Sequence, residues 1–183
     1  MLVLLPIFVL LLAAGAVLLT NRMRPGFGPA WLVNIGLVLL SWIIVLVMRW
    51  QVTAPLVISD WLPLQTSSGA LLLSFDSISW PYAFALVSVV LAVMLTLPIR
   101  LPAAAEPNLW ARNLGLASMG LLSVLSASPL AFLLSWAAID LMELVIRLNL
   151  AEESPADSAS RAQIALAFGV RVGGSICLIV ALI

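Results

Sequence analysis

The chain consists of apolar runs near the length of a membrane crossing, separated by short breaks of the kind that end helices. The runs are approximately Leu2–Leu19, Pro29–Met48, Ser79–Leu97, Asn108–Leu125, Pro129–Leu148 and Arg161–Ile183. A helix needs roughly 20 mainly apolar residues to span a bilayer core, and each run comes close to that length. "NRMRPGFGP" divides the first two runs and "LPIRLPAAAEP" the third from the fourth. "SASP" is a tight turn, and "NLAEESPADSAS" is a polar loop with Pro155 as a helix stop. We therefore expect an all-α polytopic membrane protein, a single membrane domain over residues 1–183, with about six transmembrane helices.

Composition agrees. Of 183 residues, 64% are hydrophobic and 9% charged, against about 45–50% apolar and about 25% charged in soluble domains. The lipid bilayer is the first expected partner. Net charge is zero, so nothing points to nucleic acid. All eight cations are Arg, with no Lys and no His. The single cysteine, Cys177, excludes an internal disulfide, a Cys-based metal site and an iron–sulfur cluster. Without His, haem and zinc have few routes to ligation. No metal and no cofactor are expected; any chemistry falls to carboxylates, Arg, hydroxyls and backbone.

The opening "MLVLLPIFVLLLAAGAVLLT" has the oiliness of a signal peptide. No Lys or Arg precedes its apolar run, however, and Arg22 and Arg24 follow it, so it is read as a retained first span. Arginine then orients the chain by the positive-inside rule. With the N-terminus outside, Arg22, Arg24, Arg100, Arg112, Arg147 and Arg161 fall on the cytoplasmic side and Arg49 outside. The expected location is a bacterial plasma membrane. Between the second and third runs, "PLVIS" and "ALLLSF" are short and bounded by Pro, Gly and Ser, which fits an extracytoplasmic hairpin. With Trp50, Trp61 and Trp80 nearby, its strands lie either at the lipid–water boundary or as buried loop strands.

Charge inside the runs is where function is to be sought. Asp140, Glu143 and Arg147 share a helical stripe with Trp136, since residues three and four apart meet on one face. A mid-helix Asp or Arg costs about 2.5–3.5 kcal/mol on insertion scales, so these groups are expected to face protein or water. One reading makes Glu143 and Arg147 an i,i+4 pair snorkelling toward the interface, with Asp140 alone deep. Another makes the carboxylates a proton relay, Asp140 being balanced between burial and a nearby Arg. A structural role is the third. Arg171 lies well inside the last run. Either a carboxylate holds it there, possible partners being Asp140 and Glu143, or the chain is the front part of something longer; we take the second. Asp76 is read as the N-cap of the third helix, "GLASMG" as a close-packing face, and Cys177 as a small buried apolar residue.

The order of features resembles a known family. "DWLPLQTSSGALLLSFDSISWPYAFALVSVVLAVML" is similar to the entry to the third helix of the antiporter-like, proton-pumping subunits of NADH:quinone oxidoreductase (respiratory complex I) and of the related Mrp-type cation/proton antiporters. The matching residues are Trp61, Gly69, "LLLSF" and Asp76-Ser77-Ile78-Ser79. "LSASPLAFLLSWAAIDLMEL" resembles the family's turn and fifth helix, and "ASRAQIALAFGVRVGG" its sixth-helix entry. There Arg171, Val172 and Gly173 align and Gly174 replaces an Asp. The resemblance implies the front six of about fourteen helices. It also implies partners among other integral membrane subunits and a non-catalytic chain contributing to proton or cation translocation coupled to NADH:quinone electron transfer. The alternative it leaves is a degenerate scaffold subunit that no longer translocates. The pattern departs where it matters most: the buried Glu after the fifth-helix Trp is Ala137 here, and no Lys is present to partner it. The family's proton-transfer pair therefore does not carry over. Asp140, one turn beyond Ala137, is the candidate replacement.

Overall fold

The computed structural model describes residues 2–23, 27–50, 55–60, 70–100, 107–153 and 158–182. Arg24, Trp61, Gly69 and Pro155 lie outside them. After a short 3-10 turn at Leu2–Leu4 come helix α1 (Leu5–Met23), helix α2 (Phe27–Met48), strands β1 (Leu56–Asp60) and β2 (Ala70–Leu73), and helices α3 (Ser79–Arg100), α4 (Pro107–Val124), α5 (Pro129–Glu153) and α6 (Ser158–Leu182).

Among the described residues, four helical stretches are long and apolar enough to cross a membrane: Leu2–Met23, Ala30–Met48, Ser79–Thr96 and Pro129–Leu148. They are consistent with a membrane protein. The expectation of six is met only to this extent. α4 carries Asn108, Arg112, Asn113 and Ser118 among its 18 residues, and the apolar part of α6 is the shorter stretch Ala162–Leu178.

Each helix turns one face inward. In α1 the buried positions include Leu10, Ala13 and Val17; in α2, Ala30, Asn34, Val38, Ser41 and Val45; in α3, Ala83, Val87 and Met94. In α4 they include Trp110, Leu114, Ser118 and Leu121. Spacings of three, four and seven place these side chains over one another along a single face. The opposite faces are equally oily, with Leu12, Leu32, Val89, Leu141 and Leu166 exposed, as expected of helices that meet hydrocarbon. α1 is central, packing on both α2 and α4; α2 packs on α3, α4 on α5, and α5 on α6. Polar bonds cross between helices: Trp42 Nε1 donates to Ser88 Oγ at 2.9 Å, and Ser41 Oγ to the carbonyl of Pro6 at 3.2 Å.

β1 and β2 pair antiparallel, Leu56 opposite Leu73 and Asp60 opposite Ala70, with an irregularity between Val57 and Ser59. β2 also gains an edge partner that is not a strand. Ser74 N–H donates to the Leu125 carbonyl at 2.9 Å and Ala127 N–H to the Leu72 carbonyl at 2.8 Å, so the α4–α5 turn continues the sheet. Leu73 and Phe75 are buried in the core while Val57 is exposed, so the pair lies with one side against the bundle. Trp80 fixes the start of α3 to the end of α2. Its Nε1 donates to the Val45 carbonyl at 3.0 Å, its ring stacks on Phe84, and the Arg49 guanidinium lies 5.1 Å from it. Trp50, by contrast, is exposed.

The helices run up and down. The strands, the α4–α5 turn and Arg49 share one end, the hairpin end. The C-terminal half of α1, the C-terminal half of α3, the N-terminus of α4 with Arg112, the part of α5 with Arg147 and the N-terminal half of α6 lie toward the other, the arginine end.

Candidate functional site

The charged stripe of α5 meets α6. Ser128 and Pro129 start α5: Ser128 Oγ accepts the Ala131 N–H at 3.2 Å as an N-cap, and Pro129 stands at the first helical position, where its missing N–H costs nothing. From there the helix carries Asp140, Glu143 and Arg147 along one side. Asp140 is buried, with only 6% of its surface exposed, although it lies in an apolar span.

Four ionisable side chains are linked in sequence across the two helices. Arg171 Nη1 reaches Asp140 Oδ1 at 3.3 Å and also donates to Glu143 Oε2. Glu143 Oε1 in turn accepts from Arg147, from Nε at 2.9 Å and from Nη2. The order is Asp140–Arg171–Glu143–Arg147, carboxyl and guanidinium groups alternating. Asp140 is the buried end: its side chain is 7% exposed, against 28% for Glu143, 52% for Arg171 and 57% for Arg147. Arg171 is thus held by carboxylates, the alternative not preferred from the sequence, and it bridges both of them. The Glu143–Arg147 pair expected on α5 is present, and Asp140 does not stand alone but shares Arg171.

The other sequence candidates fall elsewhere. Trp136 is exposed and tilts against Phe132 with ring centroids 5.8 Å apart; it takes no part in the ion chain. Ala137 is exposed on α5. Asp76 caps α3: its Oδ1 accepts the N–H groups of Ser79 at 2.6 Å and Ile78 at 3.0 Å. Ser79 Oγ accepts the Asp76 N–H in return, closing a reciprocal capping box. The Ser79 N–H, foremost, holds the Asp76 carboxyl below its ordinary value. Cys177 is exposed on α6 rather than buried. Among the described residues no group of three or more His, Cys, Asp or Glu side chains comes together to hold a metal.

Asn34 was not singled out from the sequence. It is fully buried in α2, with Nδ2 3.3 Å from Met94 Sδ on α3, and its Oδ1 has no hydrogen-bond partner among the described atoms. The signal was present, a lone amide inside an oily run, but a side chain that neither titrates nor ligates draws little notice. Ser126 and Ser128, read from the sequence only as part of a tight turn, also tie that turn to its surroundings: Ser126 Oγ lies 3.3 Å from Ser135 Oγ on α5, and Ser128 Oγ accepts the Leu72 N–H.

Comparison with known protein families and with curated proteins finds no match for this chain.

Proposed function

We propose that the chain is a membrane subunit of a complex I-related or antiporter-type assembly and contributes to proton or cation translocation coupled to NADH:quinone electron transfer. It sits in a bacterial plasma membrane with its N-terminus outside, the strands on the outer side and other integral subunits beside it. α4 and α6 cross together with the four more apolar helices, α6 because the carboxylates of α5 neutralise Arg171.

The observation that carries this reading is the Asp140–Arg171–Glu143–Arg147 chain within an otherwise apolar span. Asp140 lies 11 residues past Pro129, about 16 Å along the helix at 1.5 Å per residue, which is close to mid-membrane. Ionisable groups at that depth are costly and mark ion pathways. The chain also has the form a relay needs, because Arg171 serves two carboxylates. A proton taken by Asp140 leaves Arg171 to Glu143 alone, and its release draws the guanidinium back.

A second reading, a non-translocating scaffold, is favoured by one feature: every carboxylate of the cluster already holds a guanidinium, and the chain has no Lys. The experiment is to replace Asp140 and Glu143 together by Asn and Gln and to follow proton uptake in vesicles carrying the assembled complex. Lost coupling with assembly intact supports translocation. Intact coupling leaves the cluster a structural part.

A further inference from the structure

Two clefts open along the α5–α6 seam, and both end on the same three side chains, Asp140, Glu143 and Arg171. They run in opposite directions. The cleft toward the arginine end adds Arg147, with Ile164, Ala167 and Phe168 across from it on α6. The cleft toward the hairpin end has walls of Phe132, Trp136, Ile139 and Leu178, and Ser175 is its added hydroxyl.

These linings differ in what they hold. Ionised side chains are strongly disfavoured against hydrocarbon and turn toward water or polar groups. Glu143 and Arg171 line both clefts, whereas Arg147, 57% exposed, lines only the one toward the arginine end, so the open side of that cleft is the one suited to water. Arg147, nearest the helix end, reaches the interface along its aliphatic stem. The hairpin-end cleft is the wider of the two, and its outward-facing walls of Phe132, Trp136 and Leu178 are suited to hydrocarbon rather than to water.

We propose that the Asp140–Arg171 pair is wetted from one side only: water enters past Arg147 from the arginine end, and the apolar cleft between Trp136 and Leu178 is the dry barrier. The purpose of this arrangement rests on the ion-handling reading above. On that reading the seam connects the relay to one compartment, and the route to the other is completed by side chains outside the seam.

The test does not depend on transport. In a Cys177→Ser background, Ala167→Cys probes the wet cleft and Ser175→Cys the dry one. Vesicles of each orientation, carrying the assembled complex, are treated with a charged, membrane-impermeant thiosulfonate. They are then dissolved in denaturing detergent, and the thiols still free are counted with a maleimide dye, which confirms that each cysteine is present. The expected result is loss of the Ala167→Cys thiol when the arginine end faces the reagent, and in no other orientation, with the Ser175→Cys thiol retained in both. Modification at Ser175→Cys from either face, or survival of Ala167→Cys from both, overturns the proposal. Proton uptake by the Asp140→Asn, Glu143→Gln variant is measured separately, so the transport reading can fail while the one-sided wetting stands, and the reverse.

Discussion

Replacing Ser128 by Ala removes one oxygen that two backbone groups need. Ser128 Oγ accepts the Ala131 N–H at 3.2 Å, capping α5, and the Leu72 N–H at 3.3 Å, tying β2 to the turn. The residue is 5% exposed, so water does not readily replace the lost oxygen. Loss of an N-cap costs about 1 kcal/mol, and a buried N–H left without a partner costs about 1–3 kcal/mol. Together the loss comes to about 2–4 kcal/mol. Ser128→Thr keeps the hydroxyl and serves as the control. The assay is equilibrium unfolding of the detergent-solubilised protein, followed by helical circular dichroism. A loss below about 0.5 kcal/mol for Ser128→Ala, the range of an ordinary surface substitution, refutes the shared-acceptor argument. Equal losses for Ala and Thr would place the effect in packing rather than in the hydrogen bonds.

Further expectations follow from the capping box and the α4–α5 contact. Asp76→Ala removes the cap of α3 and lowers stability by about 1 kcal/mol. Because the folded-state carboxyl is held below its ordinary value of 3.8, its contribution is complete above that value and fades as pH falls through the lowered one. The effect is small at so exposed a site, and a stability–pH profile of Asp76→Asn should lack that acid-limb component. At Gly115 an added Cβ would sit 2.5 Å from Met142 Cε on α5. Gly115→Ala is therefore absorbed by a turn of the flexible Met side chain, whereas Gly115→Val costs about 1–3 kcal/mol by overpacking. Met142→Ala in the same chain recovers most of that loss, as a double-mutant cycle on unfolding would show.

Much of the backbone plan was legible because oily runs and their breakers act locally. Pro129, Ser128 and the Asp76–Ser79 spacing each place a helix start within a turn of where it lies; "ALLLSF" contains β2, and "PLVIS" covers β1 except for Asp60. The number of apolar crossings was less legible. Residue counting treats α4 as one more run, yet Asn108, Arg112, Asn113 and Ser118 dilute it, and the packing of α1 on α4 is a tertiary fact. At the site, the Glu143–Arg147 pair followed from spacing alone. The partner of Arg171 did not, because 31 residues separate it from Asp140 and only the docking of α6 on α5 brings them together. The contact of Asn34 with Met94 was hidden for the same reason, since the two lie on different helices.

The join between β2 and residues 125–128 has a temporal consequence. The strands precede α3 in the chain, but the groups that complete their edge follow α4. During synthesis, which proceeds from the N-terminus, the first three helices can assemble while that edge still lacks its last partner. Closure waits for the beginning of α5 and brings in, with the same turn, the helix that carries Asp140.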